Sequence, residues 1–90
     1  MVSFTIIGQD SQEELLEDFE EDHELGQVRE YWEEYFDHIG WSKTVKEEDK
    51  AVSIAKGNPR AWNEVKHQTL EELGIFEGCE VRLVEGHVVG

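Results

Sequence analysis

Hydrophobic and polar positions change rhythm several times along the chain. VSFTIIG (2–8) is rich in β-branched and aromatic residues and stops at Gly8, which predicts a strand. Val2, Phe4 and Ile6 would face one side of it, with Ser3, Thr5 and Ile7 on the other. The next segment, EELLEDFEEDHE (13–24), has only a thin apolar stripe of Leu15, Leu16 and Phe19. Its three- and four-residue spacing predicts a helix over about 12–24, opened by the capping box Ser11-x-x-Glu14. After Gly26, the residues Val28, Tyr31, Trp32, Tyr35, Phe36 and Ile39 recur at helical intervals and predict a second helix over about 27–39. Gly40 would close it, with Trp41 set against Phe36 in a Schellman ending.

The segment TVKEEDKAVSIAKG (44–57) begins with another capping box, Thr44-x-x-Glu47, and carries Ala51, Val52 and Ala55 on one face. It reads as a third helix, although AVSIA alone also satisfies a strand. Asn58 at the N-cap and Pro59 at the first helical position open a fourth. Its inner side would be Trp62, Val65, Thr69, Leu70 and Leu73, with Gly74 ending it and Ile75 meeting Leu70. CEVRLV (79–84) alternates Cys79, Val81 and Leu83 with Glu80 and Arg82, the pattern of a half-buried strand. Glu85-Gly86 is a turn signal before HVV, which could pair back as a hairpin. The expected architecture is one compact α+β domain over 1–90, a small sheet formed by the N- and C-terminal strands and covered by three to four helices.

Composition adds a partner class. With 90 residues, 38% hydrophobic, and three Trp, two Tyr and four Phe, the chain can bury one modest core. Its 22 acids against 8 Lys and Arg give a net charge of −14, which argues against direct binding to nucleic acid or anionic membranes. The charge is local. Residues 10–37 hold thirteen acids and one base, Arg29, for −12, whereas 38–90 hold nine acids and seven bases. On a helix over 13–24 the like-charged pairs three and four residues apart would cost roughly 2–4 kcal/mol. That is a large share of the ~5–10 kcal/mol by which such a domain is stable.

A cost of that size suggests a docking surface for a basic protein partner. One row would be Glu13, Glu14, Glu17, Asp18, Glu20, Glu21 and Glu24, and a second Glu30, Glu33, Glu34 and Asp37. Carboxylates on successive helical turns lie about 5–6 Å apart, close to the spacing of phosphates along a strand. The expectation is a nucleic-acid mimic that inhibits or regulates a DNA- or RNA-binding protein or nuclease complex. In size and charge the chain resembles the small acidic inhibitors that phages and mobile elements direct at restriction or CRISPR nucleases. A structural or assembly subunit with a merely solvated acidic face is the plainer counterpart. Tyr31, Trp32 or Trp41, if exposed, would be hot spots beside the acids.

Reactive constellations are sparse. Glu20-x-x-His23 and Glu34-x-x-x-His38 place possible metal ligands on one face, but a carboxylate-bridged site needs Glu-x-x-His twice and it occurs once. His67 and His87 add no ligand spacing, so neither metal nor cofactor is expected. Ser3, Ser11 and Ser42 lie in no nucleophile elbow, and no phosphate-binding glycine motif is present. No catalytic residue is nominated, and the chain is expected not to be an enzyme. The single Cys79, on the inward phase of its strand, reads as a core residue and suits a reducing compartment. No apolar run approaches the ~20 residues of a membrane span, and MVSFTIIGQD lacks a basic signal-peptide start. The expected location is the cytoplasm, or a host's cytoplasm if the gene is a phage's.

The last stretch, GIFEGCEVRLVEGHVVG, resembles the tail of β-grasp sulfur carriers and ubiquitin-like proteins, a strand followed by glycine. Those proteins end Gly-Gly, where this chain has Val88, Val89 and a single Gly90. With 12–24 taken as helix, their N-terminal β-hairpin is missing. The resemblance implies a carrier that acts through its C-terminal Gly90.

Overall fold

The computed structural model describes residues 1–8, 12–36, 41 and 45–85, with only the backbone described at 34–36. Five strands form one mixed sheet: β1 (Val2–Ile7), β2 (Glu13–Phe19), β3 (Lys50–Ile54), β4 (Arg60–Ala61) and β5 (Glu80–Glu85). Their order is β2-β1-β5-β3-β4. β1 and β5 run parallel at the centre, with Thr5 opposite Glu80, Ile6 opposite Val81 and Ile7 opposite Arg82. The other neighbours are antiparallel. Among the described residues, two α-helices accompany the sheet, α1 (Leu25–Phe36) and the single-turn α2 (Trp62–Val65), together with a 3-10 turn at Glu47–Asp49.

A mixed five-stranded sheet with two helices replaces the expected small sheet under three to four helices. The largest correction is at 12–24, where a strand stands in place of the helix. Within the strand Glu13 and Glu17 stand ~13 Å apart rather than the 5–6 Å of successive helical turns, beyond the Debye length of physiological salt, so their repulsion is largely screened. The apolar spacing that suggested a helix has another origin. Val2 pairs with Phe19 and Phe4 with Leu16, so Ser3 faces two residues, Glu17 and Asp18. That is a β-bulge, with Asp18 in the left-handed region at φ 63°. The bulge shifts the side-chain phase by one, and Leu16 and Phe19, three residues apart, both become buried. The Ser3 Oγ accepts the Asp18 N–H at 3.1 Å and fixes the irregularity.

Segment 44–57 contains β3, preceded by the 3-10 turn, and not a helix. Val52 faces Leu83 across β5 and Ile54 faces Val81, so the β-branched run belongs to the sheet. The fourth expected helix breaks into β4, α2 and a separate capped turn. In that turn Thr69 and Glu72 form a reciprocal capping box, each side chain accepting the other's N–H at 3.1 Å. The Gly74 N–H donates to Glu71 O and the Ile75 N–H to Leu70 O, a Schellman closure with Gly74 at φ 75°. The capping box at Ser11, the one at Thr44, the ending at Gly40 and the hairpin through HVV lie outside the described residues.

The core lies between α1 and one face of the sheet. α1 contributes Leu25, Val28 and Trp32, and the sheet contributes Phe4, Ile6, Leu16, Val52, Val81 and Leu83, all buried. Cys79, also buried, packs among them. The start of α1 is pressed onto the chain after α2, where the Gly26 N–H donates to Lys66 O at 2.8 Å. A Cβ at Gly26 would stand 2.9 Å from that carbonyl, so the contact requires glycine.

The bulge makes a direct prediction. Asp18→Gly should leave stability unchanged or raise it slightly, because glycine reaches positive φ without strain. Asp18→Val should lower it by about 1–2 kcal/mol, read as a fall in the urea midpoint.

Candidate docking face

The carboxylates nominated from the sequence divide between the outer strand β2, the turn after it and α1. Glu13, Glu14, Glu17 and Asp18 are on β2, the outermost strand, and Glu20 and Glu21 are in the turn that follows. Glu24 sits at the entry to α1, and Glu30, Glu33 and Glu34 are on that helix. Asp37 lies outside the described residues. Glu13, Glu17, Asp18, Glu20, Glu21 and Glu30 are exposed. The strand and turn do not supply the regular rows that one helix would have given.

Several of these acids have structural partners. Glu33 accepts the Arg29 Nε–H at 2.7 Å, and Glu24 lies 3.8 Å from His67 Nδ1. Glu21 accepts the Met1 ammonium at 2.9 Å, and that hydrogen bond holds its carboxyl below the usual range. Glu17, Asp18 and Glu30 differ from these in lining clefts.

Between β2 and α1 the surface opens into two clefts of about 360 and 230 Å³ that share Phe19, His23 and Tyr31. Tyr31, 53% exposed, stands at this opening, whereas Leu15, equally exposed, pairs with Thr5 on the opposite face of the sheet. Phe19 forms its floor. The ring packs edge-on to Tyr31 at 5.1 Å and to His23 at 6.2 Å, and meets Phe4 at 6.0 Å beneath. The lining holds Glu17, Asp18 and Glu30 but, among the described residues, no Lys or Arg. The result is a trough with an aromatic floor and a rim of one charge sign. Of the aromatic candidates, Tyr31 is on this surface, whereas Trp32 and Trp41 are buried.

Trp32 and Trp41 belong instead to an internal cluster with Trp62, their rings edge-on to one another at 5.5–6.2 Å. Two cations close it. The Arg29 guanidinium lies 5.4 Å from the Trp62 ring and 5.7 Å from Trp41, and the Lys50 ammonium lies 5.0 Å from Trp41. Glu47 bridges both, at 3.1 Å from Arg29 and 2.5 Å from the buried Lys50. Burial of Glu47, the largest single influence, pushes its pKa up. The Lys50 hydrogen bond and the Arg29 charge and hydrogen bond together outweigh it and hold the carboxyl below its ordinary value. Sequence reading passed over this cluster. Its signals were Arg29 as the one base within 10–37 and the three-residue spacing of Glu47 and Lys50.

Among the described residues, no group of three or more His, Cys, Asp and Glu side chains is placed to hold a metal ion. No described helix is long and apolar enough to cross a membrane.

No family model matches the chain, and no curated protein matches its sequence. Solved structures do match. Ubiquitin from Caldiarchaeum subterraneum superposes with a TM-score of 0.60 at 20% identity, over 99% of this chain and 98% of that one. The ubiquitin-like domain of an Arabidopsis thaliana protein gives 0.61 at 15% identity, over 97% and 79%. At these identities the likeness is one of fold, and the fold is the ubiquitin-like β-grasp. The N-terminal hairpin expected to be missing is therefore present as β1–β2. The same finding overturns the expected nucleic-acid mimicry and the resemblance to nuclease inhibitors. Mimicry required helical rows of carboxylates, and the segment meant to carry the first row is a bulged edge strand.

The Glu47 bridge predicts an acid-sensitive contribution to stability. Its folded pKa is depressed, so the contribution is present above the ordinary glutamate pKa and fades as pH falls through the folded value. In urea titrations Glu47→Gln should be less stable than wild type at neutral pH, and the gap should narrow as the pH drops through the carboxylate range.

Proposed function

We propose that this chain acts as a ubiquitin-like carrier, a β-grasp domain handled by other proteins and joined to them, or loaded with sulfur, through Gly90. The observation that supports this reading is the extent of the fold likeness, which runs over nearly the whole of both chains in the comparison with archaeal ubiquitin. In the sequence Gly-His-Val-Val-Gly follows Glu85, the last residue of β5, which puts the glycine that would be joined five residues further on. The reading requires Gly90 to bear a free carboxylate in the working protein.

The test is conjugation or thiocarboxylation in an extract of the source cells supplied with ATP. Mass spectrometry should find higher-mass adducts, or a terminal carboxylate in which sulfur has replaced oxygen, and deletion of Gly90 should abolish both. Identical behaviour of the full chain and the deletion would contradict the carrier reading.

A second reading has its own observation, the one-signed rim around the Phe19–Tyr31 trough. Here the domain is an interaction module that docks a basic protein partner through Glu17, Asp18 and Glu30 and the neighbouring acids. Affinity for such a partner should fall steeply with rising salt, because exposed charges are screened within about 8–10 Å at physiological ionic strength. Binding that does not respond to salt would rule out the acids as the attractive element.

A further inference from the structure

Two turns close on one another where β3 ends and β5 begins. In the first, Ile54–Gly57, the Gly57 N–H donates to Ile54 O at 2.9 Å, and both central residues, Ala55 and Lys56, stand at positive φ, 52° and 60°. In the second, Phe76–Cys79, the Cys79 N–H donates to Phe76 O at 2.9 Å around Gly78 at φ 82°. Neighbouring groups pin both turns. The Ala55 N–H donates to Glu80 O at 2.9 Å, the Gly78 N–H to Ser3 O at 2.8 Å, and the Ser3 N–H to a Glu77 carboxylate oxygen at 2.9 Å. Between the turns lies a cleft of about 230 Å³, lined by Phe76, Ala55, Lys56 and the buried Cys79. Phe76 is 56% exposed, although its turn is fixed on both sides.

A turn with positive φ at both central positions is ordinarily built from Asn-Gly or Gly-Gly, because other residues are strained there. This chain has Ala-Lys, and both side chains line the cleft. Strain kept where a side chain faces a cleft points to a use for that side chain. Charge says which use. Lys56 also borders an adjoining cleft of about 180 Å³, together with Arg82 and Glu80. Among the described residues neither Lys56 nor Arg82 forms an ion pair, although the chain carries 22 acids. Glu80 is the one carboxylate among the described lining residues, against two cations. The acids of β2 are three strand spacings away, ~14 Å, beyond the ~8 Å reach of charge in physiological salt.

We propose that the cleft between these two turns receives a short acidic segment of a partner protein, with one large apolar side chain against Phe76 and flanking carboxylates on Lys56 and Arg82. A basic segment is repelled by both cations, and a neutral one leaves them unused. A second copy of this chain is disfavoured, because it would bring a net charge of −14 towards another. The contact is independent of Gly90 and opposite in sign to the acidic face, so the two surfaces do not compete for one partner.

The test uses the whole chain, isotope-labelled, and end-blocked synthetic peptides. The probe is Gly-Glu-Phe-Glu-Gly, with Gly-Lys-Phe-Lys-Gly and Gly-Glu-Ala-Glu-Gly as counterparts. The expected result is that the probe shifts the amide resonances of residues 55–57 and 76–80, while each counterpart binds at least about tenfold more weakly, one apolar contact or one charge set being lost. Phe76→Ser, at an exposed position where folding is not at risk, should weaken the probe by a similar factor. Lys56→Gly should raise the urea midpoint, because glycine removes the strain, and yet weaken binding. A lysine with a purely structural role would not give that pair of results. Glu80→Gln should strengthen binding. The inference is overturned if the probe does not bind, if the lysine peptide binds as well, if the shifts gather on β2, or if Lys56→Gly leaves affinity unchanged. It is also overturned if the free chain shows the same shifts on concentration and sediments as a dimer, which would give the cleft to a second copy. Deletion of Gly90 should leave probe binding unchanged, so failure here leaves the carrier reading standing, and failure of conjugation leaves this one.

Discussion

The domain turns on a constraint of phase in its second strand. Leu16 and Phe19 must both reach the core, yet residues three apart on a regular strand point to opposite faces. The extra residue at Asp18 resolves this, at the cost of one non-glycine residue with positive φ. Phe19 can then join Phe4 below and Tyr31 above, tying the hairpin to α1. Without that shift Phe19 would lie on the solvent side of the sheet, and the trough between β2 and α1 would lose its floor.

Away from the hairpin, the tryptophan cluster holds the other half of the molecule. It joins α1 through Trp32, α2 through Trp62 and the intervening chain through Trp41, whose indole N–H donates to Val84 O of β5 at 3.0 Å. Glu47, Arg29 and Lys50 satisfy one another's charge against those rings, so a buried lysine is tolerated where an isolated one would be costly. The two halves carry different charge patterns for this reason. Near the tryptophans opposite charges are matched, whereas along β2 the acids face solvent with few counterparts.

The sequence made some of this legible. The strands at both ends, the helix after Gly26 and the inward place of Cys79 could be read because each obeys one period throughout, two for strands and 3.6 for the helix. The failures have one physical origin, which is that a local departure from a period imitates the other period. The bulge gave Leu16 and Phe19 helical spacing, and Asn58-Pro59, which leads into β4 and caps no helix, imitates a helix start before a segment that holds only β4 and single turns, of which Gly74 closes the last. In AVSIA both periods fitted, and the facing Leu83 and Val81 decided for strand, which is tertiary information. The acids were recognised as a local face, but their geometry depended on the helix assignment and changed with it. The trough was hidden altogether, since it joins Phe19 of β2 to Tyr31 of α1 and only the fold brings them together.

The geometry of the acidic face depends on residues 13–19 forming an edge strand paired with β1. Backbone nuclear Overhauser effects on the labelled chain test this most directly. The account predicts interstrand contacts between residues 4–7 and 13–16, with strong sequential Hα–HN contacts along 13–17. Strong sequential HN–HN contacts with Hα–HN contacts three residues apart over 13–24 would mean a helix, and would contradict it.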